Sequence, residues 1–97
     1  EAAIPTVYAL DQNYPNPFNP STQIRYALPE DAMVTISIYD MMGRKVRTLV
    51  SQSMSPGYHT TLWNATNDKG LAVSAGMYIY MIQAGTYHHM KKMVLLK

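Results

Sequence analysis

Apolar and polar residues alternate with a period of two through the informative parts of the chain, and helical periodicity is missing, so strands are the only regular structure the pattern favours. Ile24, Tyr26 and Leu28 alternate with Gln23, Arg25 and Ala27, and Val34, Ile36 and Ile38 alternate with Thr35, Ser37 and Tyr39. Residues i and i+2 of a strand share a face, so both triplets are expected to point into the same core.

Turn residues punctuate these runs. Asp40-Met41-Met42-Gly43 ends the second, and Gly43 can take the positive φ of a short hairpin loop before Lys45 to Val50 returns. Ser55-Pro56-Gly57 predicts a type II turn, with proline fixing φ and glycine in the left-handed position. Tyr58 to Trp63 then reads as a strand, Asn67-Asp68-Lys69-Gly70 as a turn, and Met77 to Gln83 as a long strand. Tyr78 and Tyr80 share one face of it and Met77, Ile79 and Met81 the other, so it is expected to be central. Ala84-Gly85 joins it to a last strand, Tyr87 to Leu96, and a weaker strand falls near Val7 to Leu10. The sum is about seven strands with regular turn spacing, which predicts an all-β fold, an immunoglobulin-like antiparallel β-sandwich.

Ninety-seven residues make one domain, and 47% hydrophobic residues suffice for one core. Without cysteine, neither a disulfide nor a thiolate metal site contributes. A net charge of +2 is too small for a nucleic-acid surface. No apolar stretch approaches the about 20 residues that span a bilayer. Glu1-Ala2-Ala3-Ile4-Pro5 lacks the basic and apolar regions of a signal peptide, and the chain reads as the end of a longer protein.

Two segments stand out. Asn13-Tyr14-Pro15-Asn16-Pro17-Phe18-Asn19-Pro20 places three prolines in six residues, so it cannot be a central strand. If it were polyproline-like throughout, Asn13, Asn16 and Asn19 would line one edge while Tyr14 and Phe18 turned toward the apolar body. It would serve either as a lid on one end of the sandwich, with asparagines satisfying backbone groups, or as a recognition element. Lys91-Lys92-Met93-Val94-Leu95-Leu96-Lys97 is an apolar strand fenced by lysines, which discourage pairing with a stray edge.

These segments carry a family resemblance. Tyr14 to Thr22, followed by Ile24, Tyr26 and Leu28-Pro29, resembles the opening of the C-terminal sorting domains of the type IX secretion system. Ile38-Tyr39-Asp40 with Gly43-Arg44, Val46 and Leu49 resembles its middle motif, and Ser74 to Tyr80 and Lys91 to Lys97 its last two. The similarity covers about residues 10 to 97 in the family's order, beyond the reach of a lone short motif. It implies a sorting domain over 10–97, with 1–9 as the end of a linker and possible first strand. It further implies a secreted or cell-surface destination reached through the periplasm. The implied partners are an outer-membrane translocon, a sortase and an N-terminal cargo domain, with a scissile bond near or before Glu1 to Thr6. Candidate recognition residues are Tyr14, Pro15, Asn16, Pro17, Phe18, Asn19, Pro20, Lys91, Lys92, Leu95, Leu96 and Lys97. Asn64-Ala65 departs from the family's more usual Asp-Gly. The immunoglobulin-like domain of flagellar hook-capping proteins is similar in the middle section, which keeps a structural module, either hook-capping-like or a spacer or carbohydrate-binding accessory domain, as the alternative.

Catalytic and metal readings find little, and no cofactor is implied. His88 and His89 are adjacent on a strand and point to opposite faces, although His59 could approach one of them across strands. No serine sits in a Gly-x-Ser-x-Gly elbow. Asn64, Asn67 and Asp68 suit a plain turn better than a calcium site. Trp63 is expected in the core; an exposed indole would instead favour a sugar platform.

Overall fold

The computed structural model describes residues 4–96. Its elements are β1 (Ala9–Leu10), β2 (Thr22–Leu28), β3 (Ala32–Asp40), β4 (Lys45–Met54), β5 (Gly57–Trp63), β6 (Gly76–Ala84) and β7 (Tyr87–Leu95). They form a three-stranded sheet, β1-β2-β5, and a four-stranded sheet, β4-β3-β6-β7, with antiparallel pairing throughout. This is an immunoglobulin-like sandwich in which the fourth strand has moved beside the third. The weak first strand is only two residues long. Among the described residues no helix is long and apolar enough to cross a membrane.

Alternation places the core as the pattern predicts. Ile24, Tyr26 and Leu28 of β2 are buried against Val34, Ile36 and Ile38 of β3 and Tyr78, Tyr80 and Ile82 of β6. From β7, Met93 and Leu95 complete the same layer. The glycines fall where turns need them, with Gly43 at φ 84 and Gly70 at φ 81. Gly57 departs from the type II reading: its φ of 139 keeps the positive sign that favours glycine but lies beyond the roughly 80° of that turn, and it opens β5 directly. Ala65 holds φ 63, a left-handed conformation that L-residues with a Cβ rarely adopt. A glycine at the family's usual position would sit there without that steric cost.

Two edges of the four-stranded sheet differ. The pairing of β4 with β3 is broken by register shifts at Ile36/Ser37 and Ile38/Tyr39. Asp68 covers part of β4's outer side: its backbone N–H donates to Val46 O at 3.1 Å, and its carboxylate accepts from Thr48 N at 3.0 Å. The other edge, β7, pairs regularly with β6 from Tyr87 to Leu95.

Candidate recognition surface

The proline-asparagine tract ties the two sheets together at one end of the sandwich. Tyr14 enters it by exchanging both backbone hydrogen bonds with Gln23 of β2, each 2.9 Å. Four residues on, Phe18 makes a parallel bridge to Leu95 of β7. Its N–H donates to Val94 O at 3.0 Å, and its carbonyl accepts from Leu96 N at 2.9 Å. Between these points Asn16 Oδ1 accepts from Val94 N at 3.0 Å. Gln12 extends the clasp by donating from Nε2 to Lys92 O at 2.8 Å. Each contact satisfies a backbone group that an unprotected sheet edge would offer to a stray strand.

The asparagines therefore do not line one edge. Asn13 is buried and donates from Nδ2 to Thr22 Oγ1 at 3.0 Å and to Pro15 O at 3.2 Å. The Thr22 hydroxyl in turn donates to Pro15 O at 2.9 Å. Asn16 and Asn19 face outward, and only Asn16 reaches β7. The tract therefore departs from the polyproline edge the spacing predicts, because Asn13 turns inward while Asn16 and Asn19 do not.

Tyr80 anchors the start of the tract from below. Its hydroxyl donates to Asp11 O at 2.7 Å and accepts from Asn13 N at 2.8 Å. Burial pushes this phenol up to about 12, the Asn13 N–H works against the shift, and the Asp11 carboxylate adds to it. Nothing in the sequence near Asn13 announced a partner in β6. Phe18 packs its ring 5.7 Å from that of Trp63, which also meets Tyr78 edge-on at 5.3 Å. The indole of Trp63 is fully buried and donates from Nε1 to Thr66 O at 2.8 Å, which rules it out as a sugar platform.

The candidate residues consequently fall into two groups. Tyr14, Pro15, Asn16, Pro17, Asn19 and Pro20 are exposed, as are Lys92 and Leu96, with Lys91 half-buried. Phe18 and Leu95 point into the core, because Phe18 fills the sandwich end and Leu95 is in phase with Met93. On the folded domain these two support the surface from behind. Tyr14, expected to turn inward with Phe18, is 79% exposed instead. Lys97 lies outside the described residues, as do residues 1–3 of the Glu1 to Thr6 segment.

The histidines stay apart: His59 of β5 stacks on Tyr26 in one sheet, while His88 and His89 lie on β7 in the other. The cross-strand approach of His59 to them does not occur. Among the described residues no three His, Asp or Glu side chains group as metal ligands would.

Comparison with known proteins gives one family match, described as "Secretion system C-terminal sorting domain", over residues 12–96. No curated protein matches the chain. Among solved structures, dimeric latent PorU from Porphyromonas gingivalis is similar at 22% identity and a TM-score of 0.70, over 93% of this chain and 9% of that one. PorZ, described as an essential surface component of the type-IX secretion system of the same organism, is similar at 17% identity and a TM-score of 0.58. That likeness covers 93% of this chain and 11% of PorZ. This chain thus spans about a tenth of either structure, and the likeness is one of fold.

Proposed function

Because the chain belongs to the family of secretion system C-terminal sorting domains, we propose that it acts as a folded, non-catalytic address label for type IX secretion, read at the clasp between the proline-asparagine tract and β7. Family membership makes it a sorting domain of a secreted or cell-surface protein. The clasp is the observation that carries the finer reading: two sequence segments that resemble the family's first and last motifs form one surface, joined by Asn16 and Phe18 on Val94 and Leu96. Tyr14, Asn16, Asn19, Lys92 and Leu96 present side chains there, while Phe18 and Leu95 hold it in shape.

In this reading the translocon in the outer membrane meets the domain on its periplasmic side, a sortase acts upstream of it, and the cargo precedes it. Residues 10–97 are the unit that is read, and 1–9 connect it to the cargo. The test joins residues 1–97 to a neutral reporter carrying an export signal in a bacterium with type IX secretion. The reporter is expected outside the cell; retention in the periplasm overturns the proposal.

A further inference from the structure

The clasp protects only one end of β7. Lys92 O, Val94 N, Val94 O and Leu96 N all point away from β6 and are bonded by the tract. Antiparallel pairing repeats every second residue, so the N–H and C=O of His88 and Met90, and the N–H of Lys92, point the same way. Among the described residues no hydrogen bond reaches them. The side chains of these residues lie on the outer face of the sheet, opposite Gln83, Met81 and Ile79 of β6. The middle of that face is apolar and open: Met90 is 57% and Met77 43% exposed, and Met81, Met90, Ile79 and Tyr39 line a shallow hollow beside the edge.

We infer that the His88–Lys92 edge of β7 accepts an extended, acidic segment of another protein as an added strand, with that segment's apolar residues seated on the Met81–Met90 face. Strand addition supplies affinity through main-chain hydrogen bonds, and alternate side chains supply selectivity. Charge chooses the occupant. β7 carries Lys91 and Lys92 and no carboxylate, and β6 carries no charged residue. Asp40, on the far side of the hollow, is already paired with Arg44 at 2.9 Å. An acidic strand balances the lysines. A second copy does not, since antiparallel self-pairing about Met90 sets Lys92 against His88 and Lys91 against His89. The opposite edge, β4, is a poorer template because of its register shifts and the Asp68 cap. Methionine side chains suit such a face, being flexible enough to repack under different apolar partners. The edge would take such a strand whether or not the domain sorts cargo.

The test titrates the isotope-labelled chain with a short peptide of alternating glutamate and valine and follows backbone amides by NMR. Shifts and slowed exchange are expected at His88, Met90 and Lys92, with little change on β4. A matched lysine-valine peptide is expected to bind at least about tenfold more weakly, equivalent to about 1.4 kcal/mol. Met90→Pro removes an outward N–H without touching the β6 ladder, a position where edge proline is tolerated. It is expected to keep the spectrum of a folded domain and abolish binding. If Met90→Pro unfolds the chain, Lys92→Glu serves instead, with weakened binding of the acidic peptide as the expected result. Absent shifts at His88–Lys92, equal binding of the lysine peptide, or self-association through β7 would each overturn the inference.

Discussion

The side-chain oxygen of Asn16 lies 3.0 Å from the backbone nitrogen of Val94, joining positions 78 residues apart. A short polar side chain here does what a neighbouring strand would do, satisfying an edge donor without extending the sheet. Phe18 takes over one step along the strand, so the tract pairs with β7 through one side chain and one stretch of backbone. Removing either half separates their contributions.

Asn16→Ala deletes the side-chain acceptor and leaves the Phe18 pairing in place. The expected loss is about 1 kcal/mol, that of one partly solvated hydrogen bond. Chemical denaturation measures it, and faster hydrogen exchange confined to Val94 locates it.

Phe18→Ala and Tyr14→Ala are expected to diverge, although both residues sit in the tract. Phe18 is buried against Trp63, and its truncation should cost about 3–5 kcal/mol. Exposed Tyr14 should change stability by less than about 0.5 kcal/mol. A drop in reporter secretion for Tyr14→Ala, at unchanged melting temperature, is the expected sign of direct reading; full secretion would remove Tyr14 from the recognition surface.

The paired leucines at the end of β7 make a second contrast. Leu95→Ala is expected to lose about 2–5 kcal/mol because its side chain is enclosed. Leu96→Ser, on a half-exposed residue, should leave stability within about 0.5 kcal/mol while lowering secretion. Deleting Lys92 to Lys97 removes the partner of Phe18 altogether and should abolish secretion. The readout is extracellular against periplasmic reporter.

Alkaline pH should loosen the clasp from beneath. The Tyr80 phenol titrates at about 12 in the folded chain against 10.0 as its unperturbed value, so above pH 10 the unfolded chain gives up its proton first. Stability attributable to Tyr80 is complete below pH 10 and declines as pH rises toward 12, by at most about 3 kcal/mol. Burial raises Tyr26 in the same direction. Denaturant midpoints taken across this range should fall, and Tyr80→Phe should flatten the decline.

The sandwich was legible because strand period and turn residues are local signals: Ile24, Tyr26 and Leu28 declare their face regardless of what covers it. The division between Leu95 and Leu96 was also available, since counting by two from Met93 puts Leu95 inside. The tract was harder. Prolines exclude a helix or central strand but leave its winding open, and the burial of Asn13 depends on Tyr80 in β6, far along the chain. Tyr14 and Phe18 are both aromatic neighbours of proline; only the room beside Trp63, set by β5 and β6 far along the chain, decides which enters. At Asn64-Ala65 the departure from the family's pattern marked a real constraint, the positive φ of Ala65.

The Phe18–Leu95 bridge also has a temporal side. Ribosomes deliver residue 18 long before residue 95, so the tract waits for its counterpart until nearly the whole segment has emerged. A product clipped or abandoned before Val94 would carry the opening motif yet lack its mate. Such a fragment would differ in shape from the folded domain, because the two ends of the sandwich join only when both partners are present.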